Sequence, residues 1–534
     1  MAVSLTLRGA LLALLLHTAG AFEANSSAIF RRGHHHSSPH AELMARQNDD
    51  GTTSCSTSNP CRIGCCGNGG NPNNAYICGT GEDFCGPSCI SNCDYKAECN
   101  PGGWDPRYVA SERCPLNVCC STFGFCGVSR DFCGDREVPQ PRCSENSGTT
   151  RKRRIAYYEG WSPGRPCDVM TPLQVPLGFY THINVAFAFI NPRTFRVEAM
   201  DGVPNDITRQ IASLKGADPG LRVFISLGGW TFNDPGPTRF TFSQIAASHS
   251  AQEAFADSLI SFMFHYNLDG VDIDWEYPGA DDRGGIPADY GNFVTWMNQL
   301  RNRLNRSGRK FELTITVPSS YWYLQHFDLQ GLARALDWIN VMTYDLHGTW
   351  DSNSPWIGAV ALGHTNLTEI KMTFDLFWRN NIDPDQLVFG VGFYGRSFTM
   401  ANPNCMAAGC PFTRGANPGP CTLNEGTLSA AEVRRVIAGG NAKVFLDREA
   451  AVEIVTWDDD QWISYDDLPT LQMKIRYANS RCIGGVMVWA VDLDDLQYTS
   501  TNELARAMGM GALAKPLSTT PPMSYAEDEG VRWW

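Results

Sequence analysis

The stretch Asp269-Gly-Val-Asp-Ile-Asp-Trp-Glu-Tyr-Pro278 constrains the fold more than any other part of the chain. It sets four carboxylates, Asp269, Asp272, Asp274 and Glu276, among Gly270, Val271, Ile273 and Trp275. In an extended strand successive side chains point to opposite faces. Asp272, Asp274 and Glu276 then share one face, while Val271, Ile273 and Trp275 share the other and anchor the strand in a core. Clustered acids also occur in metal sites and solvated loops, but the alternating bulky residues argue against a loop. Carboxylates stacked on one face repel one another and are costly to bury, so some are expected to share protons.

From Ile155 onward, short β-branched and aromatic runs alternate with longer helical patterns. The runs are Ile155–Tyr158, His182–Phe189, Arg222–Leu227, Gly270–Trp275, Leu313–Val317, Trp338–Thr343, Leu387–Gly392 and Gly484–Ala490. Helix-compatible segments such as Gln252–His265 and Tyr290–Asn305 lie between most of them. This alternation predicts an α/β fold, an eight-stranded parallel (β/α) barrel over about 155–510. In such barrels the chemistry lies at the carboxyl ends of the strands. Those ends carry Tyr158 and Trp161, Ser226-Leu-Gly-Gly229-Trp230, Asp274 and Glu276, Met342-Thr-Tyr344-Asp345, and Trp489. The gap between the last two runs is too long for one helix. It predicts a small α+β insertion over about 396–466, followed by a helix near Asp467–Asn479.

Asp269 to Glu276 reads DxxDxDxE, which resembles the signature of family 18 glycoside hydrolases, the chitinases and their relatives. Ser226-Leu-Gly-Gly229 is similar to the second signature of that family. Cleaving a glycoside takes a proton for the leaving oxygen and stabilisation of an oxocarbenium-like centre. Glu276, last on its strand and nearest the barrel mouth, is the best placed donor. The resemblance implies a retaining reaction in which the substrate's own 2-acetamido oxygen attacks, so no enzyme nucleophile is needed. It further implies that Asp274 orients the acetamido group and that Asp272 shares a proton with Asp274. Tyr344 hydrogen-bonds the acetamido oxygen, Asp345 contacts the same sugar and Trp489 forms its floor. Tyr158, Gly229, Trp230, Tyr277 and Met342 complete the expected substrate contacts. Asp269 is expected to stabilise the turn into the strand. No cofactor and no metal are expected.

The net charge of −13 argues against nucleic acid or an anionic membrane as partner. Residues 1–21 carry Arg8, an apolar run from Ala10 to Leu16 and small residues at 19–21, the pattern of a secretory signal peptide. A soluble secreted monomer is expected. Residues 22–54, with His34-His35-His36 and His40, read as a disordered polar segment, and 511–534 as a polar tail. Sequons stand at Asn25, Asn305 and Asn366.

Twenty cysteines fit an oxidising compartment. Fifteen lie between Cys55 and Cys143 and five (Cys167, Cys405, Cys410, Cys421 and Cys482) lie beyond. Both counts are odd, so full pairing requires at least one bridge between the two regions; otherwise each side keeps a free thiol. Two disulfide-stapled modules are expected, over 55–93 and 94–143. The second contains Cys119-Cys120-Ser121-Thr-Phe123-Gly-Phe125-Cys126-Gly127 and then Phe132, rings suited to stacking on sugar faces. It resembles hevein-type chitin-binding modules, which implies that Ser121, Phe123, Phe125 and Phe132 hold N-acetylglucosamine. The first module is degenerate by that pattern, with Gly67 where serine is expected. The two resemblances together are similar to fungal killer-toxin-like chitinases, and imply chitin or chitooligosaccharides as partner. A lectin or toxin-docking subunit, and an endo-glycosidase of protein-linked glycans, are the other readings; the presence of Glu276 favours hydrolysis. Residues 144–154 end in Arg151-Lys152-Arg153-Arg154, which fits either a solvated linker or a processing-protease site.

Overall fold

The computed structural model describes residues 54–70, 75–200, 206–354 and 357–511. The expected signal segment, the histidine cluster and the tail beyond 511 lie outside the described residues. Eight parallel strands form the barrel. They are β1 (Arg154–Glu159), β2 (His182–Ile190), β3 (Arg222–Gly228), β4 (Gly270–Asp274), β5 (Glu312–Pro318), β6 (Trp338–Met342), β7 (Leu387–Gly392) and β8 (Gly485–Trp489). Each pairs with the next, and β8 closes on β1 through Val486↔Arg154 to Val488↔Ala156. Parallel strands are covered on both faces, which is why they read as apolar runs. Helices cover the outside, among them Thr241–Ala247, His249–His265, Asp289–Asn305 and Leu367–Arg379. Between β1 and β2 the described residues hold only the short turns Ser162–Gly164 and Pro172–Gln174.

β4 has the two faces its sequence demands. Val271, Ile273 and Trp275 are buried toward the helices, with the Trp275 ring 5.0 Å from Phe293 and 5.5 Å from Phe242. Asp269 sits at the opposite end of the strand from the acids above it. It takes Lys215 Nζ at 2.9 Å, Arg309 Nη2 at 2.8 Å and the amide of Val223 at 2.9 Å, the turn-stabilising place expected of it.

The segment between β7 and β8 forms a six-stranded antiparallel sheet. Its strands include Tyr394–Met400, Val452–Trp457 and Gln461–Tyr465, with the helix Ala430–Ala438 packed on it. Phe398, Phe412, Ile454 and Trp462 make its core. Cys167–Cys421 staples it to the loop after β1, and the helix Leu468–Ser480, capped by Asp467, returns the chain to β8.

Both cysteine-rich modules share one disulfide order, first to fourth, second to fifth and third to sixth. The first pairs Cys55–Cys66, Cys61–Cys78 and Cys65–Cys85; the second pairs Cys99–Cys120, Cys114–Cys126 and Cys119–Cys133. In each, one phenylalanine ring lies flat on a glycine: Phe84 on Gly79 and Phe132 on Gly127. The first module adds Cys89–Cys93, whereas the second sends its seventh cysteine, Cys143, to Cys482 of the barrel. That one bridge accounts for both odd counts. The second module also docks on the end of helix Leu367–Arg379. Asn117 donates to the Asn380 side chain at 3.1 Å, Asn380 donates to Leu116 O at 3.0 Å, and Gln140 donates to Asp375 at 2.9 Å.

The expected linker is not a free tether. Thr149–Arg151 forms a turn held by Asn479, and Arg154 is the first residue of β1. Arg153 lies over the Trp338 ring at 5.2 Å and donates to Asp385 O at 2.6 Å. Its carbonyl accepts from the Val486 amide at 2.8 Å. The backbone of Arg153 and Arg154 is committed to the barrel floor, which gives the basic run a structural part, while Arg151 and Lys152 stay exposed. Removing the inter-region bridge as Cys143→Ser/Cys482→Ser is expected to lower stability by about 2–5 kcal/mol. Differential scanning calorimetry checks this; an unchanged midpoint would count against a tethered module.

Candidate active site

The acids on β4 and just beyond form a column of graded depth, with Asp272, Asp274 and Glu276 at 0, 3 and 7 % exposure. Asp272 is the most thoroughly bound. Its Oδ2 accepts from Tyr157 Oη (2.8 Å), Ser226 Oγ (2.8 Å) and Thr316 Oγ1 (3.0 Å). Its Oδ1 accepts from Thr314 Oγ1 (2.6 Å) and Asn340 Nδ2 (3.0 Å). Donors from β1, β3, β5 and β6 thus converge on one carboxylate at the barrel centre. Among the described residues no hydrogen bond joins Asp272 to Asp274, so the expected shared proton has no direct contact here; the two communicate through charge.

Asp274 is the opposite case, because its Oδ1 is buried with no hydrogen-bond partner. Burial, then the charges of Glu276 and Asp272, push its carboxyl well above the usual range. Glu276 follows β4 by two residues. Burial outweighs the nearby Arg283 and pushes it up to about 7.

The surrounding strand ends supply the rim. Gly228 (φ 117°) and Gly229 (φ 82°) end β3, and the Gly229 amide donates to Asp274 O at 2.9 Å. A Cβ on Gly228 would stand 2.0 Å from that same oxygen, so the close approach requires glycine. Next comes Trp230, 45 % exposed, whose ring meets Tyr277 edge-on at 6.4 Å; Tyr277 stacks on Tyr323 at 4.3 Å. Beyond half-buried Met342 at the end of β6, Tyr344 points its hydroxyl at Met487 Sδ, 3.7 Å away. Burial and the charges of Asp274 and Asp345 raise its pKa well above the ordinary value. Asp345 accepts from Tyr394 Oη, Arg396 Nε and Arg396 Nη2, each at 2.7 Å. Burial pushes its carboxyl up, but Arg396 and His364 outweigh it and hold it well below the usual range. Trp489 closes the ring, stacked on Phe187 at 5.7 Å and tilted against Tyr157 at 5.4 Å, with the exposed Trp161 beside it.

Most expected residues therefore meet at the carboxyl end of the barrel, but Tyr158 does not. Its side chain is fully buried and donates to Met170 O at 2.8 Å, outside the strand ring. Tyr157 faces inward instead, and the reason is strand parity: one residue along β1 reverses the face. The inward set Tyr157, Ser226, Asp272 and Asn340 was the signal that could have fixed it. Phe187, Arg283, Tyr394 and Arg396 also belong to the site and carry no local motif. In the second module Ser121 is buried, and its Oγ accepts the Phe123 and Phe125 amides at 3.3 and 3.2 Å. It thereby shapes the turn that presents Phe123 and Phe125, both half-buried. Phe132 is half-buried as well, flat on Gly127.

A parallel barrel with an acid column beneath an aromatic rim is the architecture of barrel-type glycoside hydrolases. The model described as glycosyl hydrolases family 18 matches residues 153–494, and the chain belongs to that family. A second model, chitin recognition protein, matches residues 107–147, within and just past the second module. Among curated relatives, the probable chitinase LysM18 of Penicillium expansum is 30% identical, over 78% of this chain and 31% of its own length. The killer toxin subunits alpha/beta of Kluyveromyces lactis are 33% identical, over 66% of this chain and 30% of that protein. The chain thus spans about a third of these relatives' length. Among solved structures, catalytic domain 2 of the group II chitinase of Ostrinia furnacalis superposes with a TM-score of 0.61 at 27% identity. That match covers 68% of this chain and 98% of that domain.

Proposed function

We propose that this chain is a secreted chitinase, hydrolysing β-1,4 linkages between N-acetylglucosamine units with retention and with help from the substrate's own acetamido group. One observation carries the reading: below the rim acid Glu276 lies a second acid, Asp274, whose Oδ1 is buried without a partner and whose carboxyl burial and its neighbours push well above the usual range. A carboxyl whose ionisation is made costly by burial is a poor nucleophile, so Asp274 is better suited to binding an amide than to attacking a sugar. Its unpartnered Oδ1 is a free acceptor for the acetamido N–H. The 2-acetamido oxygen then supplies the attacking electrons while Glu276 protonates the leaving oxygen. Tyr344 steadies the acetamido oxygen, Asp345 grips the same sugar, and Trp489 lies under it. Trp230, Tyr277, Gly229 and Met342 extend the cleft along the chain. Phe123, Phe125 and Phe132 of the docked module hold a neighbouring stretch of chitin.

The donor works only while protonated. With Glu276 pushed up to about 7, kcat/KM is expected to fall as pH rises through about 7. The pH profile on chitohexaose checks this, and a profile flat across that range would remove Glu276 as the acid. A relative named as a secreted chitinase is consistent with action outside the cell.

A further inference from the structure

Arg283 lies in the loop after β4 and is 6 % exposed, an unusual depth for an arginine. Its guanidinium makes three connections that no other side chain of the site makes together. Nε donates to the backbone carbonyl of Glu276 at 3.1 Å, and Nη1 donates to Asp234 Oδ1 at 2.9 Å. Nη2 donates to the carbonyl of Trp230. The same plane lies over the Trp230 ring, 3.7 Å from its centroid. The loop that carries it is itself fixed. Asp289 Oδ2 accepts the amides of Gly279 (3.1 Å) and Ile286 (2.7 Å), and Asn233 Nδ2 donates to Arg283 O at 3.4 Å.

The geometry points to Arg283 as a positioning residue that locks the proton donor Glu276 to the sugar platform Trp230, so that a sugar stacked on that ring meets the acid at a fixed height. The inference rests on the hydrolase reading above and goes beyond it, because it makes donor and platform one unit. A planar, five-donor group suits this place, since it reaches two carbonyls and a carboxylate in one plane while leaving its face for an aromatic ring. Lysine offers the charge without the plane. The charge matters too. Glu276 is faced by Asp274 on β4, by Tyr344 and Asp345 after β6, by Asp234 after β3, and by Tyr277 and Arg283 in its own loop. Burial and the acids raise it; the hydrogen bond with Tyr277 and then the charge of Arg283 oppose them.

The test is steady-state kinetics on chitohexaose across pH for wild type, Arg283→Lys and Arg283→Met, with thermal midpoints measured alongside. If wild type turns over no N-acetylglucosamine oligomer, the hydrolase reading fails; the inference about Arg283 is judged on active wild type. Arg283→Met is expected to lose about 10²-fold in kcat from a misplaced donor. Its alkaline limb is expected to move up by about one pH unit, since an opposing charge has gone. Arg283→Lys is expected to keep the wild-type limb and still lose kcat by about tenfold, because the charge remains and the plane does not. If Arg283→Met does not fold, Arg283→Lys decides: lowered kcat at an unchanged midpoint supports the coupling, and wild-type kcat overturns it. A methionine variant that lost only thermal stability, with kcat and the alkaline limb unmoved, would overturn it as well.

Discussion

Glu276→Gln is expected to lower kcat on chitohexaose by roughly 10²–10⁴-fold, the usual worth of a positioned general acid, and to leave oligomer binding close to wild type. The substitution is nearly isosteric, and glutamine cannot release a proton to the leaving oxygen. The residues that grip the sugar, Asp345, Trp489, Trp230 and Tyr277, are untouched by it. Their main supports lie elsewhere: Arg396 holds Asp345, Phe187 backs Trp489, and Tyr323 backs Tyr277, whose hydrogen bond to Glu276 a glutamine amide can still make. The expected pattern is therefore a lost kcat with retained affinity, read by isothermal titration beside product chromatography. Near-normal turnover in this variant would remove Glu276 from the mechanism.

The second large effect concerns the substrate. Asp274 sits 3 % exposed between Asp272 below and Glu276 above, and its carboxyl is held well above the ordinary range by burial first and by the charges of Glu276 and Asp272 second. An enzyme nucleophile must be ionised at working pH, and burial makes ionisation of Asp274 costly. Asp272 is ruled out differently, because both of its oxygens are occupied by donors at the barrel centre. The attacking oxygen then has to come from the sugar. Intramolecular groups held in line reach effective molarities of about 10⁵–10⁸ M. Deleting the acetyl group from the substrate is accordingly expected to cost turnover at least about 10³-fold, far more than a lost hydrogen bond would.

The barrel was legible because parallel strands are buried on both faces, leaving contiguous runs such as Trp338-Ile-Asn-Val-Met342 with polar residues only where a strand meets the inner network. The acid column was legible because alternation is a local property of one strand. Tyr158 shows where that reasoning stops: residue type and strand end were right, but the face depends on where β1 starts, and Arg154, read as linker, is its first residue. Arg396 and Tyr394 reach Asp345 from the first strand of the insertion, and Arg283 reaches Glu276 from a loop. Such contacts are set by tertiary path and leave no spacing to read. The odd cysteine counts left two outcomes, a bridge between regions or a free thiol in each, and the packed chain decides for the bridge Cys143–Cys482.

If an acid at the barrel mouth works with the substrate's own acetamido oxygen, chitohexaose and its fully deacetylated counterpart must behave differently. The comparison is made at equal concentration and neutral pH, with products followed by mass spectrometry. Short N-acetylglucosamine oligomers are expected from the first substrate and no products from the second over the same time. Comparable cleavage of both would contradict the mechanism, since the deacetylated chain carries no acetamido oxygen that can attack.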